Sequence, residues 1–249
     1  MFCGNMNWHE QVRISGYAQF PGITPAALIA AARESIDRDL SDNYEPVREV
    51  EYSNRSYCPG LVGTPPILDL LERSPILEVV DEAVGLDKVA WDGGQIAIRR
   101  AHNCDREVPP DPHIDGFASG LNGLEFGRVY NHAVTVGVFL TPIVRAFAGN
   151  FAVWPGSHYV YEKYLRERGP VAMKESMPTP EIGEPVQLIC GIGDAVFTHY
   201  ELGHTAAVNT SDLDRIAVYF RIWFRDAESN ERRWECLTNI WRGWKIKSS

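Results

Sequence analysis

Between residues 88 and 224 the chain is cut into short runs rich in Val, Ile, Phe and Tyr, most of them separated by Gly, Pro, Asn or Asp. This punctuation restricts the fold more than any other feature. The runs cover 88–91, 95–100, 134–141, 150–154, 186–190, 195–198 and 216–224. Each has strand length and strand composition. So many short strands in the last two-thirds predict a β-sandwich or jelly roll, with helices from the earlier part of the chain packed on one sheet.

The earlier part reads differently. Residues 13–20 form a β-like run that ends at Pro21-Gly22, and Thr24-Pro25 resembles an N-cap followed by a first-turn proline. Leu28, Ala31, Ala32 and Ile36 then give a helical stripe. Residues 41–63, rich in Tyr, Asn, Ser, Pro and Gly, read as irregular. Thr64-Pro65 opens a second helical region carrying Ile67, Leu70 and Leu71. Ser74-Pro75 restarts it with Ile76, Leu77, Val79, Val80 and Val84, and Gly85 stops it. Two insertions interrupt the strands. The first, 116–132, is Gly- and Asn-rich and loop-like; the second, 159–184, begins as a charged helix and ends in a Pro-rich loop. The expectation is one domain over residues 1–249, mainly β with flanking helices. Its helical region, about 24–85, would pack on a β core of about 86–225, and a Trp-rich extension with Trp234, Trp241 and Trp244 would span 226–249. A length of 249 residues is ample for one large core.

Charge and cysteine usage narrow the function. The 24 basic and 33 acidic residues leave a net charge of −9. That argues against a nucleic acid or an anionic membrane as main partner, although one buried Arg can still hold a small acidic ligand. Cys3, Cys58, Cys104, Cys190 and Cys236 are odd in number and widely spaced, with no C-x-x-C pair. They form neither a disulfide framework nor a cysteine zinc site. No uncharged apolar run approaches the ~18 residues of a membrane span, and the first residues do not resemble a secretory signal. A cytoplasmic protein, monomer or homodimer, acting on a small molecule is expected.

The chemistry concentrates in two places. His113-Ile-Asp115 puts an imidazole and a carboxylate on the same side of an extended segment, where both can reach one metal ion. Alone, this tripeptide is more often a solvated loop pair. Further on, Gly193-Asp194 turns into an apolar run, His204 follows at its rim, and Arg215 opens the strand 216–224. An Arg leading into a buried strand is costly unless its guanidinium is paired. The partner is either a local Asp212 or Asp214, or a ligand carboxylate matched to the guanidinium fork. His113, Asp115 and His204 together make a set of two histidines and one carboxylate. That set leaves three coordination positions open, as in non-haem Fe(II) oxygenases. A keto acid would take two and O₂ the third, with Arg215 receiving the far carboxylate.

On these residues the chain resembles the phytanoyl-CoA dioxygenase family of Fe(II)/2-oxoglutarate-dependent oxygenases, over nearly its whole length. Similar to the family are Gly16-Tyr17 with Phe20-Pro-Gly, the Gly149-Asn150 turn followed by Trp154-Pro-Gly-Ser-His158, and the ending Gly193-Asp194, His204, Asn209-x-Ser211, Arg215. The resemblance implies a double-stranded β-helix (jelly roll, cupin-like). It implies iron on His113, Asp115 and His204 and 2-oxoglutarate on Arg215, with Gln95 and Thr135 as neighbours of that co-substrate. It also implies hydroxylation of an unactivated C–H bond with release of succinate and CO₂. Asp115 speaks against halogenation, because halogenating relatives carry Ala or Gly there, while desaturation and ring closure stay open beside hydroxylation. One departure stands out: many members have a Ser two residues after the distal His, where this chain has Ala206. Either Thr205 or Ser211 substitutes for that hydroxyl, or Arg215 works with other partners.

Other residues have plainer readings. His158 reads as structural, His199 as the weaker competitor for third ligand, and His102 and His132 as flanking the site loops. Of Arg99-Arg100, one can face the cavity toward an anion, or both can form surface salt bridges. Two other functions stay open: a cupin-like metal enzyme that uses no 2-oxoglutarate, for which Arg215 has no purpose, and a silent binding protein on the same fold.

Overall fold

The computed structural model describes residues 7–118, 122–130, 133–175 and 177–246. The chain opens with α1 (Trp8–Ser15), β1 (Tyr17–Phe20), α2 (Ala26–Asn43), α3 (Glu49–Asn54), α4 (Pro65–Glu72) and α5 (Ile76–Val84). The β region follows with β2 (Val89–Ala90), β3 (Gly94–Arg99), β4 (Val134–Phe139), β5 (Phe151–Val153), α6 (Ser157–Arg168), β6 (Val186–Gln187), β7 (Ala195–His199), β8 (His204–Ala206) and β9 (Arg215–Phe224), and α7 (Asn230–Thr238) comes last.

The strands form two antiparallel sheets. The larger runs β1-β7-β4-β9-β2, with β3 also paired to β9; the smaller runs β6-β5-β8. They face each other as a jelly roll that does not close into a barrel. The central strands are apolar on both faces, for a physical reason visible in their alternation. Val134, Val136 and Val138 of β4 and Ile216, Val218, Phe220 and Ile222 of β9 join one core with Ile29, Ala32 and Ile36 of α2 and Ile67, Leu70 and Leu71 of α4. Phe139, Val196, Ala217 and Tyr219 point the other way, into the sandwich, against Phe151 and Val153 of the small sheet. Fully burying a residue such as Val136 or Ile222 contributes ~1.5–3 kcal/mol.

The expected elements are corrected in places. Residues 13–15 are helical rather than extended. Asn7 caps α1, its side chain accepting from the His9 amide at 2.8 Å, and Gly16 ends the helix at φ +82°, so the strand starts only at Tyr17. The buried seam of α2 is Ile29, Ala32 and Ile36, with Ala31 facing outward. The supposedly irregular stretch 41–63 holds α3 and short 3₁₀ turns at Pro46–Arg48 and Pro59–Leu61. Trp241 and Trp244 of the C-terminal extension pack on His199, Trp244 stacked at 5.1 Å, behind the large sheet. His132 lies outside the described residues, as do Asn131 and residues 119–121 of the first insertion. No described helix is long and apolar enough to cross a membrane.

Candidate metal and co-substrate site

His113 and His204 lie on neighbouring extended segments joined by a two-way backbone bridge. The His113 amide donates to the His204 carbonyl at 3.0 Å, and the His204 amide returns the bond at 2.9 Å. Their rings are 4.5 Å apart. Asp115 follows on the same side as His113. One ligand atom from each of His113, Asp115 and His204 lies within 4.8 Å of the others. The Nδ1 of His204 sits 2.8 Å from the Leu202 carbonyl oxygen, to which it donates, so Nε2 is the nitrogen left toward Asp115, 3.7 Å away. Burial, and after it the neighbouring His204, pushes the His113 imidazole down to about 3, which keeps it neutral. Burial alone would raise the Asp115 carboxyl. The Arg221 guanidinium and the two imidazoles outweigh it and hold that carboxyl below the usual range. A buried carboxylate flanked by two imidazoles is a donor set that fits a divalent first-row metal.

The residues around His204 explain its placement. The Ser157 hydroxyl accepts from the Gly203 amide at 2.8 Å, and the Trp154 amide donates to the Gly203 carbonyl at 2.9 Å. Trp154-Pro-Gly-Ser therefore pins the residue just before His204. His158, next in that motif, is fully buried with Nε2 on the Arg13 carbonyl at 3.2 Å. His199 is also fully sequestered, with its Nε2 on the Ile240 carbonyl, away from the metal ligands. His102 pairs with Asp212 on the surface. Asn209 holds the turn between β8 and β9, donating to the Arg99 and Leu213 carbonyls and accepting from the Ser211 hydroxyl at 2.6 Å. That turn sets where Arg215 enters the sheet.

Arg215 is 2% exposed. Its Nε donates to the Gly149 carbonyl at 2.7 Å and one terminal nitrogen to the Ala97 carbonyl at 3.1 Å. Neither Asp212 nor Asp214 answers it: Asp214 binds Arg100 at 2.8 Å and Asp212 binds His102. Above its guanidinium lies Tyr219, whose buried hydroxyl has no hydrogen-bond partner among the described residues. A buried cation that, among the described residues, is satisfied by carbonyls alone and lies against a tyrosine whose hydroxyl is orphaned fits a carboxylate ligand.

These groups line one cavity of about 1010 Å³ that also includes Gln95, Thr135, Phe117, Met177 and Phe151. Its volume is at the upper end for small-molecule sites. The structure thus brings His113, Asp115, His204, Arg215, Gln95 and Thr135 into one space. Arg99 lines it as well, while Arg100 is the salt-bridged member of that pair. Thr205 reaches the lining; the Ser211 hydroxyl is spent on Asn209. Sequence reasoning missed Arg221, which grips Asp115 with two bonds at 3.0 and 3.1 Å and donates to Gln95 Oε1 at 2.6 Å. The signal was alternation: residues 215, 217, 219 and 221 share one face of β9. It also missed the wall made by Ser53, Asn54 and Arg55 at the end of α3.

The profile of the phytanoyl-CoA dioxygenase (PhyH) family matches residues 68–217. This is more than half of the chain, and the protein belongs to the phytanoyl-CoA dioxygenase family. Among solved structures it is similar to the non-heme alpha ketoglutarate dependent epimerase SnoN from nogalamycin biosynthesis, at 21% identity and a TM-score of 0.57 over 87% of this chain and 79% of that one. It is similar to the carbocyclase SnoK of the same biosynthesis, at 18% identity and 0.53 over 88% and 84%. It is also similar to HygX from Streptomyces hygroscopicus with nickel and 2-oxoglutarate bound, at 18% identity and 0.52 over 85% and 83%. At such identities the likeness is one of fold, the cupin-like double-stranded β-helix. No curated protein matches the chain.

Proposed function

We propose that the protein is a non-haem Fe(II)/2-oxoglutarate-dependent dioxygenase that hydroxylates an unactivated C–H bond of a small organic molecule. The observation that carries this is the pairing, in one cavity, of the converging His113, Asp115 and His204 with a buried Arg215 that has no carboxylate partner among the described residues. His113, Asp115 and His204 would hold the iron, and Arg215 the distal carboxylate of 2-oxoglutarate. Bound together, iron, 2-oxoglutarate and O₂ supply an oxidant strong enough to take hydrogen from an unactivated carbon, with succinate and CO₂ as co-products. The chain's own part is positioning and water exclusion. Leu202 fixes the orientation of His204 through Nδ1. Arg221 aims Asp115. Gln95 and Thr135 border the co-substrate space. Phe117, Phe151 and Met177 give the cavity its apolar surface, against which an organic substrate can shed water.

The reading is tested by anaerobic titration of metal-free protein with Fe(II) and then 2-oxoglutarate, following the weak visible charge-transfer band. Wild type is expected to develop the band and, in air, to form succinate. Arg215→Ala is expected to need at least about tenfold more 2-oxoglutarate, the loss of a bidentate charged contact. Bound iron without a band would reject the 2-oxoglutarate mechanism, and no iron uptake would reject an iron enzyme altogether. Hydroxylation is then read as a gain of one oxygen atom in a turned-over molecule.

A further inference from the structure

The charge on Arg99 stands unanswered in the cavity. Arg221 is bound to Asp115, Arg55 lies 4.0 Å from Glu51, and Arg215 rests on two carbonyls. Among the described residues the Arg99 side chain has neither an ion pair nor a hydrogen bond, although it is partly buried and lines the cavity. It also sits directly opposite Arg215 in the antiparallel β3–β9 register. Gly149 shows how close the two stems run: a Cβ built there would lie 3.0 Å from the Cβ of each arginine. Like charges directly opposite on one face of a sheet destabilise it. Consistently, burial first and the charge of Arg215 second lower the proton affinity of Arg99 below that of an ordinary arginine. A chain with nine more acidic than basic residues has carboxylates in surplus, yet none among the described residues pairs with either arginine. Two arginines directly opposite each other, one of them over the ring of Tyr219, whose hydroxyl has no partner among the described residues, describe a site built to be completed by an anion.

We propose that Arg99 and Arg215 grip a single carboxylate between them, the distal carboxylate of 2-oxoglutarate, so that Arg99 supplies the contact that a hydroxyl at position 206 gives in other members. This rests on the function proposed above and assigns Arg99 as a co-substrate-binding residue. Two cations on one carboxylate favour a dicarboxylic keto acid over a monocarboxylic one more strongly than Arg215 alone would.

The test is calorimetric binding of two ligands to nickel-loaded protein: 2-oxoglutarate, and 2-oxopentanoate, which keeps the chelating end and has a methyl group for the distal carboxylate. Arg99→Met is expected to weaken 2-oxoglutarate by about tenfold, the loss of one charge-assisted contact, and to leave 2-oxopentanoate unchanged. Arg99→Lys should recover part of the loss. Without ligand, Arg99→Met should melt no lower than wild type, because it removes a like-charge pair, while the gain in Tm on adding 2-oxoglutarate shrinks. Undiminished 2-oxoglutarate binding in Arg99→Met, in a wild type that binds it, overturns this assignment alone and leaves Arg99 to an anion on the substrate. Equal weakening of both keto acids also overturns it. A wild type that binds neither overturns the proposed function and this inference with it.

Discussion

At the scale of single residues the site depends on how Asp115 is balanced. The carboxyl is 8% exposed and both of its oxygens take bonds from Arg221, so the metal-free protein keeps a buried anion paired. A metal ion bound at the same carboxylate would share it with that guanidinium. Arg221→Leu removes the partner. Breaking a buried pair costs about 3–5 kcal/mol, and because the Arg221 side chain is 39% exposed, roughly 2 kcal/mol is expected here. For a chain of this size that is a fall of about 4–8 °C in the Tm of metal-free protein. Added nickel should then restore more stability to the variant than it gives wild type, since it supplies the missing positive charge. Differential scanning calorimetry with and without metal checks both signs, and an equal drop in both states would mean that Arg221 merely packs. The role of Arg221 is hard to read because alternation puts it on the face of Arg215 but does not say which anion it meets there. His113, Asp115, His204 and Arg215 were legible because metal and carboxylate chemistry restricts residue type and spacing together.

At the scale of elements, legibility followed a visible apolar pattern, which even the two- and three-residue strands β2, β5 and β6 carry. Helices α4 and α5 each have an apolar stripe and a marked start, and both were foreseen. The three-residue β8, which carries His204, has no periodicity to detect, and neither has the six-residue α3 that walls the cavity. Short elements are held by partners distant in sequence, and the chain does not announce those partners locally. The Gly149-Asn150 turn before β5 shows the same dependence. Asn150 is fully buried and secures the turn through the Arg145 and Leu188 carbonyls and the Ala148 amide. Gly149 has φ +72°, and a Cβ there would lie 3.0 Å from each of the two arginine stems, which would have to give by a few tenths of an ångström. Gly169, at the end of α6, has the same φ of +72° with nothing within 4 Å. Gly169→Ala should therefore show only the backbone cost, about 1–3 kcal/mol for a residue at φ +72° and ψ −177°. Gly149→Ala should cost more and also weaken 2-oxoglutarate, because Arg99 and Arg215 must move. Denaturant unfolding of the two variants measures the difference, and equal losses would show that the stems yield freely.

At the scale of the whole molecule, the two-sheet class was legible from strand punctuation, but the sheet order was not. β1 pairs with β7, Tyr17 opposite Thr198, across most of the chain, and alternation reports which way a side chain points rather than which strand lies beside it. The global core also buries groups whose cost appears only as pH changes. His158 and His199 lie on the helix side of the large sheet. Burial pushes His158 down to about 4 and His199 well below its ordinary 6.5. Above pH 6.5 both are neutral folded or unfolded. Below it the unfolded chain takes up protons that the native state refuses, so stability falls as pH drops toward 4. Glu201 acts in the opposite direction. It is fully buried, neither carboxyl oxygen has a partner among the described residues, and burial, then the charge of Glu162, raises it well above 4.5. The native state keeps that proton while the unfolded chain releases it above 4.5, so stability falls as pH rises. Each group changes stability by up to about 1.4 kcal/mol per pH unit within its window. Two histidines against one carboxyl place the optimum at roughly pH 6.5 for these groups. Glu201→Gln removes the alkaline limb. Its stability relative to wild type should climb steadily from pH 5 to pH 8 by urea unfolding, whatever constant cost the buried amide adds. Parallel curves for the two proteins would mean that Glu201 is ionised in the native state and finds its compensation elsewhere.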